Sequence, residues 1–377
     1  MPTAAPTASA TAAPTASPVP TPTSTATPVP VEGLSTRMFR GSPSRVGQSA
    51  DPAIRMRPEL VWDTDIGDGA FSVPAYDDGR IYVGSDNDEL WAIDAVRGQR
   101  VWTFETGDDV ISSPAVGDDL IYVGSDDGSI YSVDEDDGAE AWRFETRRAV
   151  RSSPVLSGDN VYVGSDDGRL YALESDDGDL VWSAETGGPV RSSPALSGET
   201  IYVGSDDGFL YAFDAATGER RWRASMEGAA STTPEVIGDL VVVGNASGLI
   251  VAFSEETGEI AWLHRADAGI EGSSVAFKAG ILVVGDVEGT VYGLDAATGK
   301  ERWRFETGGE IRSSPTIAED VVYVGSADEN LYALDLATGE RLWSTDRGAS
   351  VGTVVAADGR LFFALEDGTL VAMAPPG

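Results

Sequence analysis

The chain has 377 residues, 41% of them hydrophobic, with nine Trp, eleven Tyr and eleven Phe, which supplies a core and excludes disorder over the whole length. Its 26 Lys and Arg oppose 62 Asp and Glu, and the net charge of −36 repels phosphate backbones and anionic membranes, excluding non-specific nucleic-acid binding as the main activity. With no Cys and one His, His264, disulfides, thiolate metal sites, Cys nucleophiles and multi-His metal cages are excluded as well.

Residues 1–30 hold eight Pro, eight Thr and eight Ala and no charged side chain, a composition that cannot bury a core. A disordered, polyproline-like linker over 1–33 is predicted, followed by an irregular lead-in over 34–57. The start lacks the basic and apolar regions of a secretory signal, and no apolar run of about 18 residues exists to span a bilayer. The linker implies an upstream signal, lipid anchor or domain, or else a solvated stalk.

From residue 58 the sequence repeats. Trp62, Trp102, Trp142, Trp182, Trp222, Trp262, Trp303 and Trp343 recur every 40 residues, with a single interval of 41. A period near 40 marks a propeller or a solenoid array. Each unit carries Ser-Ser-Pro, Tyr-Val-Gly-Ser, Leu-Tyr-Ala-Leu-Asp, Thr-Gly-Glu and Trp in that order or close variants of it, which reads as four short strands with no room for a helix. Turns such as Ser125-Asp126-Asp127-Gly128 place Gly where a positive φ is needed. The glycines of the second strand, Gly84, Gly124, Gly164, Gly204, Gly244, Gly285 and Gly325, with Ala364 departing in the last unit, predict a close neighbour, for which the repeating Trp is the natural choice.

The first Trp segment, 58–65, precedes the first inner strand, while the last unit stops after its third strand at 370–374. The N-terminal strand is therefore expected to complete the last blade and remove a free edge. The predicted fold is all-β: one eight-bladed propeller of four-stranded antiparallel blades over 58–374, with a tail at 375–377 and the eight Trp docking blade against blade.

The segments Ala212 to Trp222, Gly293 to Trp303 and Ala333 to Trp343 resemble the tryptophan-docking motif (A-x-D-x-x-T-G-x-x-x-W) of quinoprotein-type, PQQ-like propellers, and weaker copies run Ala92 to Trp102, Ser132 to Trp142, Ala172 to Trp182 and Ala252 to Trp262. Met38-Phe39-Arg40-Gly41, with Arg45 and Gly47, is similar to the lead-in ahead of many such repeats. That family includes the outer-membrane assembly lipoprotein BamB, a scaffold, and dehydrogenases that use pyrroloquinoline quinone. The resemblance implies the fold over about 320 residues. The dehydrogenases' adjacent Cys pair is missing here and the inter-unit loops are short, so no cofactor and no catalytic residue is expected.

Aligned on Trp, the innermost strands are expected to begin at Phe71, Ile111, Arg151, Arg191, Ser231, Glu271, Arg312 and Gly352, ringing one mouth of the channel. Arg151, Arg191 and Arg312 with Glu271 break the pattern there and form a candidate contact for a carboxylate or phosphate. The competing reading pairs these Arg with rim carboxylates such as Glu145 and Glu185. Strand parity predicts Ser113, Ser153, Ser193, Thr233 and Ser273 facing a polar, water-filled bore. The Asp-rich turns, densest at Asp134 to Gly138, fit the spacing of a Ca²⁺ loop poorly and read as turn chemistry, so no metal site is expected. His264 reads as a strand residue and Trp91 as blade packing.

The function expected is a non-catalytic, BamB-like, monomeric scaffold for protein partners outside the cytoplasm, binding no nucleic acid and inserting in no membrane. The alternatives are a ligand-sensing module of a longer anchored or kinase-linked protein, and a quinone-dependent dehydrogenase.

Overall fold

The computed structural model describes Met1, Ser42, residues 47–67, Gly69, and residues 72–230 and 232–377. The predicted linker over 2–33, the Met38 to Gly41 motif, Arg45, Phe71 and Ser231 lie outside the described residues. The chain divides into two units, Met1–Pro30 and Val31–Gly377, and the second carries all the strands described.

Those strands form eight sheets, each built on four antiparallel strands from an innermost to an outermost one, with no helix among the described residues. The second blade shows the plan, running Ala115–Val116, Leu120–Gly124, Ser129–Asp134 and Glu140–Glu145. Its two central strands are buried on both faces, which is why Ile-Tyr-Val runs replace alternation there. The outermost strand exposes Glu140, Ala141, Arg143 and Glu145 while burying Trp142. A register shift just before each Trp twists the outermost strand and aims the indole at the next blade.

Each seam between blades is then made in two places. On the outer side the indole Nε1 donates to a backbone carbonyl 33 or 34 residues ahead: Trp62 to Ala95, Trp102 to Glu135, Trp142 to Ser175, Trp182 to Ala215, Trp222 to Glu255, Trp262 to Ala296 and Trp303 to Leu336, all at 2.8–3.0 Å. The glycine of the Thr-Gly turn or its equivalent lies flat against that ring; a Cβ on Gly138 would stand 2.7 Å from Trp102, and its φ of +73° also requires Gly.

On the inner side the two serines of Ser-Ser-Pro divide the work. The first binds its own blade: Ser112 Oγ accepts from Gly124 N at 2.7 Å, and Ser152, Ser192, Ser273 and Ser313 repeat the contact with Gly164, Gly204, Gly285 and Gly325. The second accepts from the preceding blade, Ser153 Oγ from Ser113 N and Ser193 Oγ from Ser153 N, both at 3.0 Å. This corrects the expectation of a hydroxyl-lined, water-filled bore. Ser113, Ser153, Ser193, Thr233 and Ser273 are all buried: the hydroxyls of Ser113, Ser153 and Ser193 accept from amides across a seam, and that of Ser273 accepts from Gly285 N of its own blade.

A second correction concerns the second-strand glycines. Their neighbour is not Trp but the residue entering the next blade. A Cβ on Gly164 would meet Val190 Cγ1 at 2.5 Å and its carbonyl at 2.6 Å, and Gly124 meets Val150 in the same way. Between the first and seventh blades every seam therefore uses two glycines, one under the indole and one under the inner crossover.

The ring closes as the sequence predicts. Strand Glu59–Asp65 pairs antiparallel with Thr369–Ala374 and completes the eighth blade from the N-terminal side. The lead-in does more. Strand Gln48–Ser49 lies inside the channel, parallel to the innermost strand Thr316–Ala318 of the seventh blade. Gln48 Nε2 donates to Phe277 O of the sixth blade at 2.7 Å, and Ser49 Oγ donates to Ala356 O of the eighth at 2.8 Å. One short segment thus staples three blades from within.

Candidate functional site at the channel mouth

Each innermost strand is entered from one face of the ring, where the turns between second and third strands also lie. The innermost strands begin after the Pro, at Val155 and Ala195 for instance, so the Arg positions sit on the crossover ahead of them rather than in the strand.

Arg151 is held by the turn of the preceding blade: its Nε and Nη2 donate to both Asp126 oxygens at 2.6–3.1 Å. Arg191 repeats this with Asp166 at 2.9–3.2 Å and adds Asp206 of its own blade at 2.8 Å. Such forked pairing is the geometry in which guanidinium and carboxylate bind best. The hydrogen bonds donated to Asp126 and Asp166 raise the pKa of Arg151 and Arg191 and keep both charged. Asp206 is pushed up by burial despite Arg191. On the opposite arc Arg312 reaches Glu310 at 2.8 Å and Glu271 at 3.4 Å, with 59% of its side chain exposed. The structure thus joins Arg312 with Glu271 and places Arg151 and Arg191 on one ladder.

The partners are not those expected. Glu145 and Glu185 end outermost strands, and Glu185 pairs with Arg169 of its own blade. The carboxylates near the channel come from the first Asp of each Ser-Asp-Asp-Gly turn. The second Asp of those turns is structural: Asp127 Oδ2 accepts from Tyr131 OH at 2.5 Å and from Gly107 N at 2.9 Å, tying two blades together. Burial opposes the charge on Asp127, but these hydrogen bonds outweigh it and hold the carboxyl below its ordinary pKa.

Sequence reasoning missed one grouping. Asp88, Asp108 and Asp109, from a turn of the first blade and the crossover that follows it, bring one carboxylate oxygen each within 4.8 Å of one another. Burial first, then repulsion from Asp108, Asp88 and Asp126, pushes Asp109 up, with Arg151 opposing. The grouping of all three is repeated in no other unit, although Glu329 and Glu310 stand at the positions of Asp88 and Asp109, so the repeat gave no signal for it. Three such oxygens are hard donors of the kind a divalent cation takes, and exposed acidic groups also cluster without one. At Asp134 the carboxylate accepts from Asp136 N and Asp137 N, which is turn chemistry.

The remaining singled-out residues are structural in their surroundings. His264 packs edge-on against Tyr292, in the slot where Phe104 and Phe144 meet Tyr131 and Tyr171, and burial lowers its pKa. Trp91 packs beside the Trp62 cluster with Arg100 over its ring. Glu235 is fully buried in an innermost strand at a position that holds Ala or Val in its neighbours, another departure the repeat did not announce.

Three comparisons place the architecture. The sequence matches none of the curated proteins. Among solved structures, BamB from Moraxella catarrhalis is 19% identical, with 85% of this chain and 98% of that one covered at a TM-score of 0.73. A quinohemoprotein alcohol dehydrogenase from Comamonas testosteroni is 15% identical, with 91% and 81% covered at 0.77. The computationally designed protein Ika8 is 20% identical, with 84% and 99% covered at 0.69. At these identities the likeness establishes the fold. The family described as outer membrane protein assembly factor BamB matches residues 57–194, 186–271 and 246–376, spanning the whole ring. The chain belongs to that family of PQQ-like propellers.

Proposed function

We propose that the protein is a non-catalytic, extracytoplasmic docking scaffold that receives a basic surface of a partner protein on the mouth face of the ring. The observation that carries this is the state of the charges there. Arg151, Arg191 and Arg312 are already bound by carboxylates of the chain itself, and eight acidic side chains, Asp88, Asp108, Asp109, Asp126, Asp166, Asp206, Glu271 and Glu310, outnumber those three guanidiniums and Arg148, which stands one blade on at the position of Asp108. The ion pairs fix side chains that would otherwise lose entropy on binding, which favours a preorganised surface. The uncompensated carboxylates steer positive partners toward it. Arg151, Arg191, Glu271 and Arg312 are then contact residues at its centre. Membership of the BamB family supports docking and an extracytoplasmic site, and no helix among the described residues is long and apolar enough to cross a membrane.

The quinone reading meets a mismatch. Pyrroloquinoline quinone is a tricarboxylate, and at this mouth it faces guanidiniums neutralised at 2.6–3.4 Å and a surplus of negative charge. The mouth residues do not fit it.

The test is capture of partners from the extracytoplasmic fraction by the wild-type chain and by the triple variant Asp88→Asn, Asp108→Asn, Asp109→Asn, at low and at 0.3 M salt. The scaffold reading expects one discrete partner, weakened by the variant and by salt. Dye reduction with added quinone, Ca²⁺ and alcohols would instead support the dehydrogenase. Anion affinity lost in the Arg151→Ala, Arg191→Ala, Arg312→Ala variant would support the sensor.

A further inference from the structure

At seven seams the indole docks on a turn of the following blade, but the eighth is different. Trp343 Nε1 donates to Ile54 O at 2.9 Å, and Ile54 is 289 residues away in sequence. Tyr323 OH accepts from Ile54 N at 2.6 Å and faces Ile54 O, taking the place that Tyr122 fills with Ser175 O, and Tyr162 with Ala215 O. Ile54 is buried in the cluster that joins the seventh and eighth blades, together with Trp343, Tyr323 and Leu361. Arg55 pairs with Asp320, and Arg57 reaches Thr345. With Gln48 and Ser49 stapled in the channel, residues 47–57 are held by a strand pairing, two side-chain anchors, a buried apolar plug and an ion pair.

These are the elements of a peptide-recognition site, in which main-chain pairing supplies affinity and spaced side chains supply specificity. We infer that the groove between the seventh and eighth blades is an exchangeable seat for an extended segment of the pattern Gly-Gln-Ser with Ile five residues later, filled by this chain's own strap and equally by the strap of a second copy. Every contact of the seat is non-covalent, so a strap supplied in trans makes the same hydrogen bonds and buries the same Ile. The resident copy prevails through its high effective concentration, not through better contacts. Exchange of identical elements is the low-cost route by which such a ring passes from monomer to swapped dimer.

The probe is a fluorescent peptide copying residues 47–65, added to the full-length chain and followed by anisotropy at a temperature below the onset of unfolding. Wild-type chain is expected to take it up slowly with a stoichiometry of one. Ser49→Ala in the chain removes the hydrogen bond to Ala356 O, and with it the one that the hydroxyl accepts from Asp51 N inside the strap, and should raise capture roughly fivefold. Ser49→Ala in the peptide alone should lower capture by the same factor, and the matched pair, altered on both sides, should return to the wild-type level. Ile54→Ala in the peptide should lower capture on the order of 30-fold or more. No capture by the Ser49→Ala chain, or capture indifferent to which side carries the change, would overturn the proposal. Ser49→Ala removes a single hydroxyl, so the result does not depend on a variant that fails to fold.

Discussion

The indole N–H of Trp343 reaches the carbonyl of Ile54, closing the ring at the one seam where the chain running on from the next blade supplies no docking turn. Seven seams are secured by local sequence order, whereas this one is secured by the lead-in. Ile54→Ala is expected to cost about 2–5 kcal/mol, the range for a large-to-small change in a packed core. Denaturant unfolding should show a lowered midpoint, with amide exchange in 355–374 rising before exchange in the third and fourth blades. Uniform loss across all blades would mean the seam is not the weak point.

The serine ring predicts a different signature. Ser153→Ala orphans the buried Ser113 N–H, and Ser152→Ala orphans Gly164 N–H, so each should cost about 1–3 kcal/mol, more than an exposed hydroxyl would. The discriminating measurement is site-specific hydrogen exchange. Ser153→Ala should deprotect amide 113 in the preceding blade and leave amide 164 protected, and Ser152→Ala should do the reverse.

Two glycines separate crowding from backbone strain. Gly164 needs the absence of a Cβ because Val190 stands against it, whereas Gly158 has nothing within 4 Å and is constrained only by its φ of +57°. Gly158→Ala should cost about 1 kcal/mol, the usual penalty for a left-handed non-glycine residue. Gly164→Ala must displace a neighbouring blade and should cost at least about 2 kcal/mol more, read as the difference between the two denaturation midpoints.

Much of this architecture is legible in the residues. The 40-residue interval of Trp, the Gly and Asp of the turns and the unpaired first strand lead to eight blades and to the closing strand. Repetition also explains what was misread. Ser112 and Ser113 recur together, so their spacing could not say that one serves its own blade and the other its neighbour. Two glycines recur in seven units, and only geometry shows that Gly138, rather than Gly124, lies under an indole. The strap escaped notice for the opposite reason. Residues 47–57 match no unit, and their main bond to Trp343 uses a backbone carbonyl that any residue would offer. The Asp88, Asp108 and Asp109 grouping likewise arises where the first two units depart from the consensus.

A carboxylate at the mouth and one at a seam should show opposite pH responses. Asp109 has a raised folded pKa, from burial and from neighbouring carboxylates, so the folded state prefers it protonated. Its favourable contribution is present below the ordinary Asp value near 4 and is lost as the pH rises through its folded pKa. Asp109→Asn should therefore raise stability at pH 7, by about 1 kcal/mol or less for a group so near solvent, and the gain should vanish at pH 3. Asp127 has a lowered folded pKa, sustained by Tyr131, Ser129 and Gly107 against burial. Its contribution is present above the ordinary Asp value and fades as the pH falls through the folded one. Asp127→Asn should destabilise at pH 7, with the deficit shrinking toward pH 2. Because Asp109 and Asp126 lie at one end of the Arg151 ladder, the gain from Asp109→Asn should also shrink at high salt, while the deficit of Asp127→Asn, made of short hydrogen bonds at a seam, should barely move. Thermal midpoints at two ionic strengths and three pH values test both signs. A parallel response of the two variants would remove the distinction between the carboxylates that face the mouth and those that bind the blades.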